Sequence, residues 1–190
     1  MSAMLGIGGR TSGSRRHRMS TLQPTGADRI LGAGQTNKTQ ASQAVYQNMK
    51  KYAGEVQYTA SELTKTGDDS LFAKAKESGD TTGITKQVKE FVDNYNGMVR
   101  SLKSSGSRVD NSYLNQLNTG VTRNADGTLS VNDKALKGAT LEQLEKAWGS
   151  SSSFVTKTNA AAENIQANAV DGINNLINNS YSNLLKNFGT

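Results

Sequence analysis

Apolar residues in this chain recur at steps of four and three in three separate stretches, with polar residues filling the positions between them. From about Asn37 to Lys65, Val45, Met49, Tyr52, Val56, Thr59 and Leu63 keep that spacing, which sets them on one narrow stripe of a helix. The narrow stripe and its polar flanks favour a coiled-coil seam; an ordinary amphipathic helix packed on its own domain is the alternative. A second helix is predicted from about Ile84 to Lys103, with Ile84, Val88, Phe91, Tyr95, Val99 and Leu102 as its apolar positions. Residues 67–83 between them read as a Gly/Asp/Ser/Thr-rich connection with a short helix around "SLFAKAKE", across which the two long helices pack as an antiparallel pair.

The third stretch, Phe154 to about Phe188, reads as one long helix with Ile165, Ala169, Ile173, Leu176, Leu184 and Phe188 near one side. Nine asparagines lie between Asn159 and Asn187, and asparagine is a poor helix former. Packing must therefore hold this helix in place. "GSSSS" at 149–153 reads as a flexible joint before it. In the middle of the chain a turn of helix is expected at "YLNQL". Thr140 followed by Gln143 has capping-box spacing, so "TLEQLEKAW" starts a fresh helix with Leu141, Leu144 and Trp148 on one face. Trp148 is expected as a core anchor rather than a ligand platform.

Composition limits what these elements can do. Of 190 residues 34% are hydrophobic and 6% aromatic, which argues against a large single core and for stability drawn partly from neighbours. The net charge of +6 is uneven: the first 51 residues carry eight Lys or Arg and one acid, the remainder fourteen and fifteen. Residues 1–35 hold the only proline, Pro24, and show no sustained periodicity, so they are expected to be disordered. Their cluster Arg10, Arg15, Arg16, His17 and Arg18 has the charge to touch nucleic acid or anionic lipid, but without aromatic interleaving or a binding fold it reads as a solvated tail.

The absence of cysteine excludes thiol redox chemistry and a Cys/His zinc site, and the single histidine, His17, lies in the segment expected to be disordered, so a His-based triad is not expected either. Asp68, Asp69 and Asp80 share one loop, but no glycine-rich phosphate loop or second motif accompanies them, so no enzyme, cofactor or small-molecule substrate is expected. No apolar run approaches the roughly 20 residues of a membrane span. The arginines follow "MLGIGG" rather than precede it, unlike a cleavable signal, so any export is expected by another route.

"VTRNADGTLSVNDKAL", residues 121–136, admits two readings. In a calcium loop starting at Thr122, Asn124, Asp126, Gly127, Leu129, Ser130 and Asp133 fall near the required places. Thr122 replaces the first carboxylate, however, Asp133 is shorter than the closing bidentate Glu, and "GVT" is poor helix material. As a hairpin, "VTR" and "TLSV" are short strands, and "NADG" supplies the turn with Gly where positive φ is tolerated. The hairpin is favoured.

"VKEFVDNYNGMVRSLK" (88–103), then "GVTRNADGTLSVNDKAL" (120–136), a helix, a Gly/Ser joint and a long terminal helix together resemble the C-terminal part of the flagellar hook-associated protein 2 family, the filament-capping proteins. Phe91, Val92, Asp93, Tyr95 and Asn96 match that family's helix pattern. Gly120, Val121, Thr122, Asp126, Gly127, Thr128, Leu129 and Asp133 match its hairpin pattern approximately. The resemblance spans roughly residues 84–190. It implies a non-enzymatic, self-assembling axial protein, extracellular on the bacterial flagellum and exported unfolded through the flagellar type III pathway. Implied partners are further copies of itself, flagellin or other hook-associated proteins, and an export chaperone. Cap proteins are usually longer, with extra β-rich domains and a Gly-Leu-Ala-Ser-Gly-type N-terminal motif that this chain lacks, which suits a short member or a hook-filament junction component.

The expected fold is mostly α, with long coiled-coil-like N- and C-terminal helices and a small α+β head containing a β-hairpin. Residues 1–35 form a disordered basic segment, 36–66 plus 154–190 a paired helical stalk, and 84–148 the head. The stalk seam, Val45, Met49, Tyr52, Val56 and Leu63 with Ile165, Ala169, Ile173, Leu176, Leu184 and Phe188, is expected to stay exposed on the monomer and to bury its apolar area when a partner arrives. A nucleic-acid or membrane-surface binder using the basic segment is the rival function.

Overall fold

The computed structural model describes residues 26–107 and 119–188, with side chains placed for 38–107, 119–183 and 186. The chain divides into two units, Met1–Gln35 and Thr36–Thr190. Of the first, the backbone from Gly26 is described, and it is helical, so the helix starts inside the segment expected to be disordered. The arginine cluster and the "YLNQL" turn lie outside the described residues.

The described chain is mostly helical with one two-stranded antiparallel sheet. The order is α1 (Gly26–Thr64), α2 (Leu71–Ser78), α3 (Thr82–Ser104), β1 (Val121–Arg123), β2 (Leu129–Val131), α4 (Asp133–Lys137), α5 (Leu141–Trp148) and α6 (Ser153–Phe188). Local chemistry fixes the helix ends. Ser70 accepts a hydrogen bond from the Ala73 N–H to start α2, and Gly79 closes it in the left-handed region at φ 75°. Asn132 caps α4 through the Ala135 N–H. Thr140 and Gln143 form the expected capping box on α5, with both reciprocal bonds present, at 2.9 and 3.2 Å.

Buried positions on α3 run right round its second half, where Tyr95, Asn96, Gly97, Met98 and Val99 are all buried. A helix buried on every side is central to its fold, and α3 has neighbours to match. α1 runs antiparallel to it: the Asn94 amide approaches the Glu55 carbonyl at 3.5 Å, and Tyr52 sits against Gly97. On another side Phe91 and Tyr95 meet Trp148 and Phe154 edge to face, at centroid distances of 5.7–6.4 Å among the four rings. Trp148 is fully buried, as expected of a core anchor.

One hydrophobic cluster joins these elements. It draws on Met49, Val56 and Leu63 of α1, Phe72 of α2, most of the α3 face, Val121 and Leu129 of the hairpin, Leu136, Leu144, Trp148, and Phe154 and Ala162 of α6. The helices read as a stalk and the segment read as a head therefore share a core.

The Gly/Ser joint is a tight, hydrogen-bonded turn rather than a loose tether. The Gly149 N–H donates to the Glu145 carbonyl and the Ser152 N–H to the Gly149 carbonyl. The buried Ser152 hydroxyl reaches the Ala147 carbonyl at 2.6 Å and accepts from the Val155 N–H, closing α5 and opening α6 in one step.

Candidate functional site

The hairpin forms as expected, with Val121 opposite Val131, Thr122 opposite Ser130 and Arg123 opposite Leu129. Its turn is closed by the Asn124 N–H on the Thr128 carbonyl and the Gly127 N–H on the Asn124 carbonyl, with Gly127 at φ 83°. Gly120, at φ 73°, leads into it beneath α4, and a Cβ there would lie 2.6 Å from the Leu136 nitrogen.

The oxygens considered as calcium ligands already have other work. Asp126 Oδ1 accepts both the Thr128 N–H, at 3.0 Å, and the Thr128 hydroxyl, while Oδ2 faces Lys103 Nζ at 3.4 Å. Thr128's hydroxyl and then its N–H, with a smaller attraction from Lys103, hold the Asp126 carboxyl down to about 2. Asn124 Oδ1 accepts from the Ser130 hydroxyl, and Asp133 pairs with Lys89 at 2.7 Å. A lysine ammonium on each acid is the wrong neighbour for a cation site. Among the described residues no cluster of three or more metal-ligating side chains exists. The loop acids are likewise engaged locally: Asp69 faces Lys74 at 3.8 Å, and Asp80 accepts from the Thr82 N–H.

Asn96 is the residue whose role the sequence concealed. Its side-chain amide donates to the Leu129 carbonyl at 2.9 Å and its oxygen accepts the Leu129 N–H at 2.7 Å. The buried Asn96 thus pairs with β2 as the backbone of a third strand would. The Tyr95 hydroxyl adds a bond to the Gly127 carbonyl at 3.3 Å. The two sequence patterns that carry the family resemblance meet at these bonds. Of the first pattern, Phe91 and Val92 lie in the core and Asp93 is exposed.

The seam residues part company. Met49, Val56, Leu63 and Ala169 are buried within the chain, and Val45, Tyr52 and Ile165 are half-buried against the same core. This corrects the expectation that their apolar area awaits a partner. The stripe is narrow, yet α3 and α6 supply enough neighbours to cover it, which is the alternative weighed for the first helix. α1 meets α6 through Gln57, which donates to Gln166 at 3.0 Å, and through Tyr46, whose ring covers Gly172. The four-three pattern of apolar positions does not mark these glycine notches.

Farther along α6 the cover gives out. Ile173 and Leu176 are half-buried, Val170 and Ile177 are exposed, and Tyr181 is 64% exposed. Leu184 and Phe188 fall outside the residues whose side chains are described. An open groove borders this stretch, lined by Tyr58, Glu90, Asp93, Asn94, Gln166 and Ile173 among others. No helix among the described residues is long and apolar enough to cross a membrane. No family model, no curated protein and no solved structure matches the chain.

Proposed function

We propose that this chain is a non-enzymatic, self-assembling axial component of the bacterial flagellum, akin to a filament-cap or hook-filament junction protein. It works outside the cell, through contacts with copies of itself and with flagellin or other hook-associated proteins, and with an export chaperone before that. The observation that carries the reading is the double hydrogen bond between Asn96 and Leu129. It gives the two patterns behind the resemblance a common structural reason to occur together in one sequence.

The outer part of α6 supports the assembly half of the reading. Ile177 is 42% exposed, so covering the rest of it against a partner contributes about 1 kcal/mol, a fraction of what full burial of an isoleucine brings. In the assembled state the outer α6 pairs into a coiled coil with a neighbouring helix.

Immuno-electron microscopy of the cells that make the protein tests this. Label at the hook-filament junction or the filament tip is expected; label confined to the cell interior, with normal filaments in cells lacking the chain, overturns it.

A further inference from the structure

We propose that Asn96 and Gly97 form a modification site that opens only on unfolding, where the chain deamidates itself and thereby loses the docking of its hairpin. They are the only Asn-Gly pair in the sequence. Two separate demands of the fold bring them together. Position 96 needs a carboxamide, because its oxygen accepts the Leu129 N–H at 2.7 Å while its nitrogen donates to the Leu129 carbonyl at 2.9 Å. Position 97 needs to lack a side chain, because a Cβ there would run into the Tyr52 ring. Satisfying both writes into the chain the dipeptide whose backbone nitrogen is least hindered from reaching the asparagine side chain.

In the unfolded chain the freedom of glycine lets that nitrogen swing onto Asn96. The Gly97 nitrogen attacks Cγ of Asn96. An N–Cγ bond forms, the Cγ–Nδ2 bond breaks, and Nδ2 leaves as ammonia with the proton of the Gly97 amide. The five-membered succinimide then takes up one water at either of its carbonyls, giving aspartate or its iso-linked form. Either product replaces the amide donor by a carboxylate oxygen facing the Leu129 carbonyl, and the iso-linked form also adds a methylene to the backbone of α3.

The folded chain blocks the attack. Asn96 and Gly97 are buried inside α3, where each N–H turns back toward the carbonyl four residues earlier, for Gly97 that of Asp93 and away from the Asn96 side chain. Asn96 is 8% exposed, and both ends of its amide are held by Leu129. The reaction therefore runs through the opened chain, at a rate set by how often α3 opens. The site keeps a chemical record of time spent unfolded, whatever the folded protein assembles into.

Peptide mass mapping of the full-length chain, aged at mildly alkaline pH with and without guanidinium chloride, tests this. Deamidation at Asn96 is expected to run at least ~100-fold faster in denaturant, the ratio that opening through the stable core imposes. Denaturant is then removed. The modified fraction is expected to refold with amide exchange at Leu129 at least about tenfold faster, for the loss of a buried hydrogen-bonded pair, or to stay unfolded while the unmodified fraction refolds. A native chain that deamidates at Asn96 as fast as the denatured one overturns the gating by unfolding. No mass gain at Asn96 in denaturant overturns the site, and a modified fraction with unchanged exchange at Leu129 overturns its consequence.

Discussion

The Tyr52 ring of α1 occupies a notch over Gly97 of α3, where a Cβ would lie 2.7 Å from the ring Cγ. Tyr46 repeats the arrangement over Gly172 of α6, with 2.6 Å to the ring Cε1. Two tyrosines of one helix thus set its distance from two neighbours, and each needs the opposing residue to lack a side chain.

Gly97→Ala tests the tighter notch. In an exposed helix this change stabilises by about 1 kcal/mol through propensity. Here the added methyl meets a ring held between helices, and overpacking is expected to reverse the sign, with a net loss of about 1–3 kcal/mol. Denaturant unfolding followed by the fluorescence of Trp148, the single tryptophan, measures it. A gain in stability would show that the ring moves aside freely.

Asn96→Ala removes both bonds to Leu129 and leaves a buried N–H and carbonyl unpaired. The expected cost is about 2–4 kcal/mol. Asn96→Asp keeps the acceptor but sets a carboxylate oxygen against the Leu129 carbonyl, so it should cost at least as much. Amide hydrogen exchange at Leu129, accelerated in both variants ahead of the α3 core, localises the damage to the hairpin. Unchanged exchange there would remove Asn96 from its assigned role.

The long helices were legible in the sequence because a four-three period fixes which face of a helix is apolar. It does not say what covers that face. Val45 to Leu63 has the spacing of a seam for another chain, yet α3, which the chain reaches after the connection carrying α2, lies alongside. Signals within a few residues of one another were also readable, such as the Thr140 and Gln143 box and the Asn124 to Gly127 turn. Asn96 and Leu129 are 33 residues apart, and neither residue type announces the other. The glycines at 97 and 172 announce nothing by themselves, because a notch is a property of the pair. At 149–153 the serines suggested slack, whereas Ser152 spends its hydroxyl on both flanking helices.

Acid should loosen the hairpin region before the rest. Thr128 holds Asp126 down to about 2, with Lys103 contributing; Lys89 lowers Asp133, and Thr82 lowers Asp80. A carboxyl with a depressed folded pKa adds stability above its unfolded value, here near 3.8, and loses it as pH falls through the folded value. Unfolding midpoints should therefore fall as pH drops from about 4 to about 2, and less steeply in Asp126→Asn. Parallel profiles for the two proteins would contradict the Thr128 and Lys103 assignment.

Self-association of the folded chain is the claim on which the functional account rests, and sedimentation velocity from about 1 µM to about 100 µM, the range that brackets a micromolar Kd, tests it most directly. A sedimentation coefficient that rises with concentration is predicted, and one that stops rising in Ile177→Asp, with the emission of the core residue Trp148 unchanged throughout. A single monomeric species across the whole range, for the unmodified chain and the variant alike, would contradict it.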